Sequence, residues 1–165
     1  MNRPLPGTLQ KIASETDSNV DLSLKFAFSG SSVTYGGPLM QEDYSILHGY
    51  GEVEGSKKVA PGVFVGGSRE MLDAVRSNNF DPTDALFVKG HAAWVPAQLS
   101  REILKGVWYL ASASPDIMLR YAGVPTTQDD DHPDDMWSEI LSCMGGGYAE
   151  LAKTFSGIGD RRFQP

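Results

Sequence analysis

Three histidines, His48, His91 and His132, are the first residues to weigh for chemistry. Neutral imidazole is a metal ligand, and a histidine-built site needs its ligands close in space, often at i and i+4 of one helix. These three are far apart in sequence, and each reads as part of a different element. His48 and His91 could still converge across neighbouring strands, with an Asp or Glu as third ligand. The plainer expectation is that both are partly buried and bonded to backbone carbonyls, with His132 in solvent. The run QDDDHPDD at 128–135 offers Asp129, Asp130, Asp131, Asp134 and Asp135 to calcium or magnesium. It lacks the alternating spacing of an EF-hand loop, and Pro133 interrupts it. Close carboxylates repel one another, so a solvated loop is expected. No metal site and no cofactor follows from these residues.

Gly66-Gly67-Ser68-Arg69 joins a strand to a helix start. Free backbone N–H groups there, with Ser68 and Arg69, are the candidates for holding an anion, although most strand-to-helix turns look like this with no ligand. Neither a nucleotide-binding G-x-x-x-x-G-K-[ST] nor a G-x-S-x-G occurs. Cys143 falls on the apolar side of a helix beside Met144, where a buried thiol is a small hydrophobe and not a nucleophile. The segment that stands out runs from Gly90 through His91, Ala92, Ala93, Trp94, Val95, Pro96 and Ala97 to Gln98 and Leu99. Small residues surround one indole and one carboxamide. On the structural reading, Trp94 fills a packing gap and Gln98 bonds loop backbone. On the functional reading, His48, His91, Trp94 and Gln98 line a ligand pocket. The structural reading is preferred, and no catalytic residue is assigned.

These residues need elements to position them. At 165 residues the chain suits one domain with a real core. A hydrophobic share of 41% and a charged share of 21% argue against wholesale disorder. Lys plus Arg number 14 against 21 Asp plus Glu, a net charge of −7 that speaks against nucleic-acid or anionic-membrane binding. The single cysteine excludes an internal disulfide. No apolar run reaches the roughly 20 residues of a membrane span, and no apolar h-region follows the first residues.

Leu9 and Ile12 are at helical spacing in a short helix or turn. Strands are expected at 32–35, ended by Gly36-Gly37-Pro38, at 46–50, and on both sides of Pro61-Gly62 within 59–65. Ser68 stands as N-cap of a helix over 69–77. Asp81 to Asp84 is a turn, and Ala85 to His91 is the clearest core strand. Pro96 opens a helix whose inward stripe is Leu99, Ile103, Leu104 and Val107. Val107 to Ala111 reads as a strand, and Pro115 to Arg120 as a helical turn. Asp134 or Asp135 caps a helix from Met136 to Met144, stopped by Gly145-Gly146-Gly147. Tyr148 to Thr154 adds another turn or two. One domain over 1–156, with a flexible tail at 157–165, is expected. Strands and short helices without a βαβ rhythm indicate an α+β domain, and no G-x-G-x-x-G supports a dinucleotide-binding fold.

Several motifs then carry a family resemblance. They are Asn2-Arg3-Pro4-Leu5, Tyr35-Gly36-Gly37-Pro38, Ile46-Leu47-His48, the Gly90 to Leu99 segment, Glu102-Ile103, Trp108 and Trp137. In this order and spacing the chain resembles the AlgH-like (YqgE) family over residues 2 to about 151. Gly145 to Leu151 looks like its plant and algal branch. Ala93 and Ala97 depart from the pattern, standing where bacterial members commonly have Gly. Family members carry several strands before the first motif, and this chain begins almost at it. A shortened form is therefore expected, with unpaired strand edges. The resemblance implies an α+β fold with a bifurcated, mostly antiparallel sheet forming a pseudo-barrel flanked by helices. It implies no established activity. A non-enzymatic binding or regulatory module, acting through a protein partner or small ligand, is expected; a hydrolase-like enzyme is the alternative. Plant and algal relatives imply a plastid, with the cytoplasm as the other location.

Overall fold

Phe87 stands at the centre of the sheet, and the fold is best followed outward from it. The computed structural model describes residues 3–15, 20–120 and 136–155. Strands β1 (Arg3–Thr8), β2 (Ser32–Tyr35), β3 (Leu39–His48), β4 (Ser56–Ala60), β5 (Val63–Gly66) and β6 (Leu86–His91) form one sheet in the order β1-β2-β6-β3-β5-β4. The β2–β6 pair is parallel and the other four pairings are antiparallel. The α+β class and the mostly antiparallel sheet are as expected. The six described strands do not close into a barrel, and β1 and β4 are the edges.

Cross-strand register explains the core. Val33 faces Phe87 across β2–β6, and Ile46 faces Phe87 across β6–β3. One buried row therefore spans three strands, because paired residues share a face. Helices α1 (Leu9–Glu15), α2 (Leu22–Ala27) and α3 (Ser68–Arg76) belong to this side, with Leu9, Ile12, Met71 and Phe28 in the same buried cluster. Phe28 meets Phe87 edge to face at 5.4 Å.

Several elements match the sequence patterns closely. The Pro61-Gly62 break is the hairpin between β4 and β5, and Asp81 caps a 3-10 turn at Pro82–Asp84 through Thr83 N. Helix α5 (Pro115–Leu119) is capped by the Ser114 hydroxyl, α6 covers Met136–Met144, and α7 covers Gly146–Phe155. Arg120 pairs with Glu139, tying α5 to α6.

Others differ. The N-cap of α3 is Gly67, in the left-handed region at φ 67°, and Ser68 is the first helical residue. Residues 107–111 form no strand and pair with neither edge of the sheet. Helix α4 (Gln98–Leu104) does not bury the expected stripe: Leu99, Leu104 and Val107 are exposed. Their spacing is amphipathic, but α4 has only sparse contact with other described elements. Cys143 is exposed in the last turn of α6, because that helix buries Met136 and Leu141 instead. Strand β1, with Pro4 and Pro6, was not signalled by pattern; an edge tolerates proline because half of its N–H groups need no partner. The acidic run, His132, the helix cap at Asp134 or Asp135 and the tail 157–165 lie outside the described residues.

Candidate functional site

The junction after β6 is built around a crossing of glycines. Gly90 has φ 68°, and Gly36 N donates to Lys89 O at 2.9 Å. A Cβ on Gly36 would sit 2.3 Å from Gly90 O, and one on Gly37 would sit 2.3 Å from the His91 carbonyl. Only hydrogen fits at either position. This close approach sends the chain out of the sheet at His91 and into α4.

Within that segment the polar atoms converge on Glu102. The indole Nε1 groups of Trp94 and Trp108 both donate to Glu102 Oε2, at 3.1 and 2.7 Å. Gln98 Nε2 donates to Glu102 Oε1 at 2.9 Å, and Gln98 Oε1 accepts from Val95 N at 3.2 Å. The two indoles also pack edge to face, with centroids 5.8 Å apart. Gln98 and Glu102 meet because i and i+4 share a helix face. These hydrogen bonds, from Trp108 first, then Gln98 and Trp94, hold the Glu102 carboxyl below the usual glutamate value. It remains an anion that accepts three hydrogen bonds from its own neighbours. Ala97, the N-cap of α4, adopts φ 64° and offers no side-chain cap. A left-handed conformation is strained for any residue with a Cβ.

The four pocket candidates are not brought together. Trp94 and Gln98 share the Glu102 cluster. His91 is exposed at the end of β6 opposite Leu39, whereas His48 follows Leu47, which pairs with Leu86. About 16 Å of strand separates those two register pairs. His48 has no accessible surface, is stacked against Phe64 with centroids 5.9 Å apart, and neither ring nitrogen has a hydrogen-bond partner. Burial holds its pKa below the ordinary histidine value; the Gly66 backbone acts more weakly the other way, without proper hydrogen-bond geometry. The expected carbonyl bonds are thus absent from His48, and His91 is not buried.

Ser68 and Arg69 are exposed at the first turn of α3. The Glu70 carboxylate shares that turn, accepts from Glu54 N at 3.0 Å and gives the turn a negative charge of its own. Among the described residues, no group of three or more His, Cys, Asp or Glu side chains could hold a metal ion. No helix among them is long and apolar enough to cross a membrane. The sequence reading passed over Glu102 and Trp108 as site residues; the i, i+4 pairing of Gln98 with Glu102 was the available signal.

An open six-stranded mixed sheet, three helices over its core row and a tryptophan–glutamate knot after the central strand define an α+β protein class. The profile of the AlgH-like family matches residues 1–149. The chain belongs to the AlgH-like family. It is 34% identical over 118 residues to a UPF0301 protein of Chlamydia caviae, covering 71% of this chain and 57% of the relative. A UPF0301 protein of Chlamydia muridarum is 30% identical over 144 residues, covering 84% and 69%. Among solved structures, the AlgH protein of Pseudomonas aeruginosa is similar with a TM-score of 0.58 and 20% identity, over 91% of this chain and 72% of that one. The chain spans little more than half the length of several curated relatives it matches.

Proposed function

We propose that this chain is a non-enzymatic binding or regulatory module and that the Trp94 segment is its scaffold. One observation carries the reading: Trp94, Gln98 and Trp108 each direct a side-chain donor at Glu102 rather than at a shared pocket. The ionised carboxylate is held in the knot and is poorly placed to move a proton. The partner is a protein or a small ligand; direct nucleic-acid binding is disfavoured by the net charge of −7. Resemblance to plant and algal relatives supports a plastid location, with the cytoplasm as the other, and imaging of the tagged protein decides between them.

The test is a turnover screen of the full chain on chromogenic esters, phosphate esters and nucleotides. No turnover is expected. Turnover abolished by His91→Ala would replace this reading with a hydrolase-like enzyme.

A further inference from the structure

Just past the end of β3, Gly49 and Tyr50 line a cleft whose other walls are Phe80, Asp84 and Leu119. Its volume is about 300 Å³, at the lower end of the range for small-molecule sites. Three segments position these walls. Phe80 is packed against the main core cluster, which fixes one side. Tyr50 is exposed and meets Phe80 edge to face, with centroids 5.5 Å apart and planes at 80°. Asp84 ends the 3-10 turn that Asp81 caps. Leu119 ends α5 and lies so close to Gly49 that a Cβ there would sit 3.0 Å from its Cδ1.

The chemistry of the walls selects the occupant. An aromatic face carries the negative side of the ring quadrupole, and in an edge-to-face pair only one ring gives a face to the other. The second ring keeps both faces for another contact. Asp84 is the single charged residue of the five, and among the described residues no hydrogen bond or ion pair engages its carboxylate. An anion would be repelled by both features. A neutral apolar molecule would strip water from the carboxylate and put nothing in its place. A small organic cation satisfies rings and acid together: its charge lies over a ring face, and its methyl or methylene groups meet Leu119. The net charge of −7 adds attraction at longer range.

We propose that the cleft formed by Gly49, Tyr50, Phe80, Asp84 and Leu119 binds a small organic cation, an alkylammonium or quaternary ammonium compound. This goes beyond the binding-module reading, because it names a ligand class and a place that shares no residue with the Trp94 segment. A turnover screen on esters or nucleotides leaves it unaffected.

Choline is the probe, titrated into the isotope-labelled full chain at physiological salt and followed by amide shifts. Saturable shifts clustered at Gly49, Tyr50, Phe80, Asp84 and Leu119 are expected. The neutral analogue of choline, with a quaternary carbon in place of nitrogen, should bind about tenfold more weakly or worse. Asp84→Asn and Tyr50→Leu should each weaken choline by about threefold to tenfold. Asp84→Asn is an exposed, nearly isosteric change and serves if the Tyr50 variant fails to fold by circular dichroism. Glu42→Gln removes the same charge roughly 20 Å back along β3 and leaves binding intact. Shifts that do not saturate, or that fall elsewhere, overturn the proposal. So does a neutral analogue that binds as well as choline, or an effect of Glu42→Gln equal to that of Asp84→Asn.

Discussion

Glu102 organises its surroundings through acceptance alone. Replacing it with Gln keeps the shape and removes the charge, so the Trp94 and Trp108 N–H groups lose their ionic acceptor. The expected result is a weaker near-ultraviolet tryptophan signal and a red-shifted emission, with the far-ultraviolet spectrum unchanged. Because the folded carboxyl is held below the ordinary glutamate value of 4.5, its stabilising contribution is present above that pH. It is lost as pH falls through the folded value, and a tryptophan fluorescence titration should show this. His48 has a folded pKa below the ordinary histidine value of 6.5 because burial disfavours the cation. Its neutral form adds stability fully above that pH, and the benefit declines as pH falls from there through the folded value. His48→Phe removes two unpartnered ring nitrogens while keeping a ring against Phe64. It should raise stability by about 1 kcal/mol at neutral pH and flatten the acid limb, read by urea unfolding at several pH values. At Ala97 the strain is local. Ala97→Gly relieves a left-handed Cβ cost of roughly 1–2 kcal/mol and adds chain entropy costing somewhat less, so a small net gain is expected in the same assay.

At the scale of elements, hydrophobic pattern and turn residues marked most of the fold. The strand at 85–91, the Pro61-Gly62 hairpin and the helices at 69–77 and 136–144 were legible because their signals are local. Where the signal is not local, the reading diverged. Leu99, Leu104 and Val107 repeat at helical spacing, but spacing reports a face and not what covers it. Residues 107–111 have strand composition without a neighbouring strand to pair with. Strand β1 hides behind two prolines that only its edge position permits. The site followed the same rule: Trp94 and Gln98 were visible as unusual types among small residues, whereas Trp108 enters the knot only once the chain has turned back. The glycine crossing also depends on packing between distant segments. Gly37→Ala would press a methyl into the His91 carbonyl. It should cost roughly 1–3 kcal/mol by overpacking, measured as a lowered denaturation midpoint.

Across the whole molecule, stability is unevenly distributed. The row of Val33, Phe87 and Ile46 with Phe28 above it is buried and interlocked, whereas α4 has few partners outside its own segment. Hydrogen exchange at low protein concentration should therefore be slowest in β2, β3 and β6 and fastest in α4. Phe87→Ala is expected to lower global stability by about 3–5 kcal/mol, seen in the slow-exchanging amides as well as in urea.

The parallel pairing of β2 with β6 also bears on the order of folding. Thr34 and the Phe87 carbonyl it approaches are 53 positions apart. Until the chain past His91 is available, β2 and β3 have no strand between them to pair with. Early local contacts among α1, α2 and the β4–β5 hairpin must wait for one long closure. Commitment to the native state therefore waits on that closure, and the folding rate is governed by the search for it.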